Sequence, residues 1–344
     1  MGLRAEGRVG IGRAMARVTK RIGWMNKASR ASSRRLGFLA LTAGLLCVFA
    51  TSGCATADAG IKSAEAAIQI DLFVVVTDQA TADEVRARLQ PVPNLPPPQT
   101  GQRQWFRGYL TGVRDSSVYS IVVGQVDAQD GMTTKMIMQA AATAWRPRYI
   151  LVLGTAPAVA YDEPLGAVGL VNLICSFDLD RYEKTQDSGR CHRADAGLFT
   201  AALSMTDEWK AVAEHETSRA GCAPPRVLKM ATLSGQQEFE PGFVETATAL
   251  SEGLHRGLIL EREGIFVAKA VQRARHETRR PIGLLMIRGV SEVRRAERGR
   301  ETKFEADEQE RGRLHEACAA RDTADFAVDL IRKRWPVSSY AVAP

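Results

Sequence analysis

Residues 145–156 read Trp-Arg-Pro-Arg-Tyr-Ile-Leu-Val-Leu-Gly-Thr-Ala, and the fold can be read outward from them. Pro147 lacks a backbone N–H and cannot continue the helix that the apolar spacing predicts over Met132–Trp145. Tyr149–Ala156 is then apolar without alternation, the pattern of a strand buried on both faces. Further strands are expected at Ile70–Thr77, Tyr119–Val126, Val168–Phe177, Val227–Leu233, Leu258–Glu263 and Ile282–Val290. Helical spacing falls between them at Thr81–Gln90, Asp195–Arg219, Val244–Leu254 and Ile265–Arg275, and again in a long closing helix over Glu305–Arg334. Pro91–Gln104, with its run of prolines, reads as a loop. Alternation of this kind predicts an α/β fold: a central mixed, mostly buried β-sheet flanked by helices, in one domain over residues 68–336 with a short tail at 337–344.

The N-terminal end has a different composition. Residues 1–35 hold ten Arg/Lys and one acidic residue, so the net charge of +7 lies entirely there and the remaining chain is near −2. A near-neutral domain offers no electrostatic case for nucleic acid. After Arg34-Arg35 the run Leu36–Ala50 is almost wholly apolar and leads into Thr51-Ser52-Gly53-Cys54. This is the layout of an export signal over residues 1–54, followed by a small, polar tether at 55–67. Ser-Gly-Cys resembles a lipobox, which makes Cys54 the expected lipidation site, although Thr51 stands where such boxes usually carry leucine. The expected location is therefore the bacterial envelope, with membrane attachment through the lipid; an uncleaved N-terminal anchor is the alternative. Met25 would give a leader of conventional length. The four cysteines beyond the leader show no CxxC spacing and predict no structural zinc. Export permits disulfides, and Cys191–Cys222, which flank a predicted helix, are the candidate pair among three pairings.

Several local sequences resemble the nucleoside phosphorylase/nucleosidase superfamily. Residues 145–156 are similar to its segment of helix, proline, apolar strand and Gly-Thr/Ile-Ala-Gly-Gly. Leu165-Gly166-Ala167-Val168 is similar to its Leu-Gly-Asp-Val, and Ser234-Gly235 to the Ser-Gly after a later strand. Glu261-Arg262-Glu263-Gly264 resembles Glu-Met-Glu-Gly/Ala, and Arg288-Gly289-Val290-Ser291-Glu292 resembles Arg-Gly/Val-Ile-Ser-Asp. The closing helix, with Ala317, Ala320, Phe326, Ala327 and Leu330, is similar to the family's alanine-rich last helix. The matches run in order over residues 68–335 and suggest a divergent member.

The resemblance implies a small-molecule nucleoside partner, no cofactor beyond phosphate as a candidate co-substrate, no metal, and a homo-oligomer. It also assigns roles. N-glycosidic cleavage passes through a sugar cation, and a carboxylate can accept from both ribose hydroxyls; that position is Glu263. A general acid at the leaving base is the role of the residue at Glu292, beside Ser291. Gly154, Thr155, Ser234, Gly235 and Arg262 fall at the remaining substrate positions. There are departures. Pro157 and Ala158 replace a Gly-Gly whose N–H groups approach phosphate or sugar, Ala167 replaces an aspartate, and Arg262 replaces a methionine beneath the ribose. Of an early Gly-x-Gly loop only Gly131 remains. The nucleosidase glutamate after the first strand has no clean counterpart, with Asp83 or Glu84 as candidates.

Other chemistries lack their motifs. The five histidines show neither HxxxH nor HExxH spacing, and no Gly-x-Ser-x-Gly or Walker loop occurs. Aromatic residues, at 6%, are too dispersed for a base-stacking platform. Two further functions compete with catalysis: a degenerate nucleoside-binding sensor or interaction module, and a solute-binding lipoprotein, which would need two lobes.

Overall fold

The computed structural model describes residues 70–92, 105–113, 116–126, 131–159, 165–176, 191–217, 222, 226–234, 244, 247, 248, 251, 257–294 and 306–335. Ala67–Pro344 form one compact unit. The signal segment, the tether and Cys54 lie outside the described residues.

The chain opens with β1 (Leu72–Val76), every residue buried, and α1 (Gln79–Arg88). Asp78 caps α1, its side chain accepting from the Thr81 N–H, because an aspartate at this position satisfies a donor the helix leaves open. The two-residue β2 (Gln90–Pro91) and β3 (Trp105–Thr111) follow, then β4 (Val118–Gln125) and α2 (Gly131–Trp145). β5 (Tyr149–Val159) runs three residues beyond the expected end, passing through Pro157. β6 (Val168–Ser176) and β7 (Cys191–Arg193) form an antiparallel pair.

The single helix expected over Asp195–Arg219 is two, α3 (Ala196–Ser204) and α4 (Thr206–Thr217). Met205 breaks them, with φ −104° and ψ 0°. Asp195 caps α3, and Asp207 and Glu208 give α4 the acidic first turn that its dipole favours. β8 (Val227–Ser234), β9 (Leu258–Glu261) and α5 (Gly264–Thr278) come next. Of the helix expected over Val244–Leu254, the described residues 244, 247, 248 and 251 are helical. β10 (Gly283–Arg294) and α6 (Ala306–Arg334) close the fold.

The ten strands form one mixed sheet in the order β10-β6-β8-β9-β5-β1-β4-β3-β2, with β7 beside β6. β10 also pairs with β5, so β5, β10, β6, β8 and β9 close into a ring. The outer wing is β1-β4-β3-β2. Alternation in β1 divides the core. Leu72, Val74 and Val76 pack under α1, α3, α4 and α6, whereas Phe73 and Val75 pack under α2 and α5.

Two disulfides correct the expected Cys191–Cys222 pair. Cys175 joins Cys191, and Cys222 joins Cys318. The cause is register: β6 and β7 set Cys175 opposite Cys191, which leaves Cys222 for Cys318 on α6.

Candidate active site

The site is built where β1 stops and its two parallel companions continue. β5 is paired with β1 through Leu153 and with β10 through Val159, so β5 and β10 extend past the end of β1. Strand ends of this kind, where the sheet changes partners, are where α/β folds place ligands. On the same edge of β5, β9 takes over at Ala158 and Val159. Arg288 of β10 lies in register with Gly154 of β5.

Arg288 is fully buried and organises the region. Its Nη2 donates to Glu261 Oε2 at 3.1 Å and to Glu263 Oε2 at 3.3 Å, and its Nη1 donates to the Thr77 hydroxyl. Its Nε has no acceptor among the described residues. Gly154 is small for a reason: a Cβ there would collide with Thr77 Oγ1 and Arg288 Nη1 and stand 3.0 Å from Asp78 Oδ2. Thr77, Asp78 and Arg288 therefore converge on one point of β5.

The two glutamates differ in their surroundings. Glu261 accepts from the N–H groups of Glu263 (3.0 Å) and Gly264 (2.6 Å), from the Thr232 hydroxyl (3.2 Å) and from Arg288. It thus caps the N-terminus of α5. Glu263 occupies the N-cap position without a side-chain capping bond and is only 4% exposed. Burial pushes its carboxyl up to about 7, Arg288 opposes that shift, and the charge of Glu261 adds to it.

The remaining sequence candidates fall as follows. Thr155 is half-buried, and its N–H donates to Asp78 Oδ2 at 2.8 Å. Ser234 is buried, its hydroxyl accepting from the Ile265 N–H at 3.0 Å, so it also serves the start of α5. Arg262 is half-buried between the two glutamates in sequence. Gly235 lies outside the described residues. Ser291 and Glu292, expected just after the last strand, are inside β10. A bulge between Val290 and Glu292 leaves Ser291 unmatched and sets Glu292 opposite Pro157. Such an extra residue bends a strand and re-aims its side chains. β9 and β10 are not hydrogen-bonded neighbours; each pairs with β5.

Asp83 and Glu84 do not join the cluster. Asp83 pairs with Arg86, and Glu84 with Arg88, along α1. The carboxylate that follows β1 into the site is Asp78, which the sequence reading did not single out. Arg288 stood within a quoted motif but was given no role. A lone arginine in an apolar strand, Ile282–Val290, was the available signal, since such a charge must be paired when buried. Among the described residues no group of three His, Cys, Asp or Glu could hold a metal ion.

No family model matches the chain, and no curated protein sequence does. Solved structures do share its fold. The 5′-methylthioadenosine/S-adenosylhomocysteine nucleosidase from Neisseria meningitidis, in complex with methylthio-immucillin-A, is similar with a TM-score of 0.53 at 13% identity, covering 76% of this chain and 98% of that one. The futalosine hydrolase of Helicobacter pylori gives 0.54 at 13% identity, covering 77% and 97%. A Colwellia psychrerythraea methylthioadenosine/S-adenosylhomocysteine nucleosidase in complex with adenine gives 0.55 at 11% identity, covering 76% and 95%. At such identities the likeness is one of fold. With its mixed sheet flanked by helices, the chain shares the α/β fold of these nucleosidases and of the futalosine hydrolase.

Proposed function

We propose that this protein binds a purine nucleoside or a derivative and cleaves its N-glycosidic bond. The observation that carries the reading is Glu263, a buried carboxyl held by Arg288 beside the end of β9. On substrate binding Glu263 accepts hydrogen bonds from the sugar hydroxyls, and Arg262 and Thr155 border the same ligand. Glu292, with Ser291, faces the base and protonates its ring nitrogen as the carbon–nitrogen bond breaks. The nucleosidase structures that share the fold, one with methylthio-immucillin-A and one with adenine, support a nucleoside as the ligand.

The test is release of free base across a nucleoside panel. Glu292→Gln is expected to bind nucleoside nearly as the wild type does while turnover falls by roughly 10²–10⁴, the range for a lost general acid. Glu292→Asp, which restores the family's shorter side chain, is expected to retain activity. Nucleoside binding in calorimetry without any base release would establish the second reading, a degenerate sensor. That reading is favoured by Pro157, Ala158 and Ala167, all within the described strands or the turn before β6. A solute-binding lipoprotein is disfavoured by the single compact unit that Ala67–Pro344 form.

We also propose that the protein is exported and held at the membrane through Cys54. Two disulfides support an oxidising compartment. Cys54→Ser is expected to abolish lipid labelling; a wild type that takes up no label would end this reading.

A further inference from the structure

We propose that the nucleophile at this site is water and that inorganic phosphate is excluded from it; this rests on the reading of the site as a nucleoside-cleaving one. A phosphate dianion needs several N–H donors and a net positive surround. Among the described residues three sets of donors border the region, and the chain itself has used each of them; Arg262, which borders the same ligand, also has a partner within the chain.

The first set is the edge of β5 that β1 leaves open. Backbone groups alternate between the two edges of a strand. The Leu153 carbonyl accepts from the Thr77 N–H at 3.2 Å, which fixes the edge that faces β1. Two residues on, the Thr155 N–H faces the same way and is taken by Asp78 Oδ2 at 2.8 Å. Two further on stands Pro157, which has no N–H. The bulge lies in β10 rather than β5, so the alternation along β5 is kept. Pro157 thus falls after the last partner in β1 and before the first in β9, where the ladder loses no hydrogen bond by it.

The second set is the N-terminus of α5, a natural anion seat. Gly264 donates to Glu261, Ile265 to Ser234, and Phe266 and Val267 to the Glu263 carbonyl. The third is Arg288, whose Nη groups are bound by Glu261, Glu263 and Thr77. Its Nε is the donor left over, and one N–H suits one neutral oxygen. The charges agree: three carboxyls, Asp78, Glu261 and Glu263, stand against the guanidiniums of Arg288 and Arg262, so the surround is not net positive.

With water, the oxygen bonds to the anomeric carbon while the carbon–nitrogen bond breaks and its electron pair passes to the leaving ring nitrogen. Glu292 supplies the proton that nitrogen takes, and the water's proton goes to solvent, from which Glu292 is recharged. The products are free sugar and free base.

The experiment follows base release in phosphate-free buffer and with added inorganic phosphate at matched ionic strength. The sugar product is identified, and the reaction is repeated in heavy-oxygen water. The expected result is an unchanged rate, free sugar only, and the heavy oxygen on its anomeric carbon. Sugar 1-phosphate, or a rate that rises with phosphate, would overturn the inference. Inorganic phosphate is also titrated by calorimetry into the wild type and into an Asp78→Ser, Pro157→Ala double variant. Serine still caps α1, while the shorter side chain releases the Thr155 N–H and alanine restores the one at 157. The double variant is expected to gain phosphate binding that competes with nucleoside, with none in the wild type. Competitive phosphate binding by the wild type, or a double variant that remains blind to phosphate, overturns the inference even if no substrate is found. Failure to bind any nucleoside sinks the nucleoside reading instead, and the phosphate titration then still decides between donors used and donors free.

Discussion

A guanidinium taken out of water must carry its own counter-charge, and Arg288 finds it in two carboxyls on one short segment, Glu261 and Glu263. Glu261 is saturated by four donors, so Glu263 is the partner whose charge can vary. Its carboxyl holds a proton more tightly in the folded chain, up to about 7 against an ordinary 4.5. The native state therefore binds more protons than the unfolded one inside that window, and stability falls as pH rises through it. Buried Asp322 on α6 behaves in the same direction, raised from 3.8 to about 6 by burial and opposed by Arg321. Between about 6 and about 7 the contribution of Glu263 outlasts that of Asp322. Glu263→Gln is expected to flatten the melting temperature between those two values, and a slope that persists unchanged would contradict this. On the proposed reading the same variant loses a charge-assisted hydrogen bond to the sugar, which should weaken nucleoside binding by about 1.5–3 kcal/mol in calorimetry. Glu263 was legible in the sequence through its motif. Asp78 was not, because its second oxygen meets Thr155, a residue 77 positions away, only once β1 and β5 lie side by side.

Between elements, α6 packs tightly over β10. Gly289 has no side chain because the Ala319 carbonyl sits where a Cβ would be, with Thr323 Oγ1 2.7 Å from the same point. Gly289→Ala must push the helix outward, at about 1–3 kcal/mol of stability in denaturant melts. A neutral result would mean that α6 is not seated there. The same helix is tied through Cys318 to Cys222, across 96 residues, whereas Cys175 and Cys191 are 16 apart. Longer closed loops cost the unfolded chain more entropy, about 4.7 kcal/mol near 100 residues against about 3 near 15. Removing the Cys222–Cys318 bridge should therefore destabilise more than removing Cys175–Cys191, as serine pairs compared in guanidinium will show. Sequence could not choose these pairings, since cysteine partners are set by register and by which helix covers which strand. β3 escaped notice for another reason: Trp105–Thr111 follows a proline-rich loop, and Arg107 and Gly108 interrupt its apolar residues, so it reads as neither a buried run nor a clean alternation. The break at Met205 is hidden because the apolar spacing of α3 and α4 stays in phase across it.

At the scale of the molecule, the α/β order and the buried strands β1, β5 and β10 were legible because each is a continuous apolar run. The way the sheet joins its ends was not, since no local pattern states that β10 has two neighbours. That closure has a dynamic consequence. Every strand of the ring has a partner on both sides, so none of the five can peel away while the others stay paired. The outer wing ends instead on a two-residue strand. Hydrogen exchange should register the difference as two kinetic classes. Amides of β3 are expected to exchange through local fraying, whereas those of β5, β6, β8 and β10 wait for global unfolding and share one protection ceiling. If single ring strands exchanged independently of one another, the hoop would not be the mechanical unit of this protein.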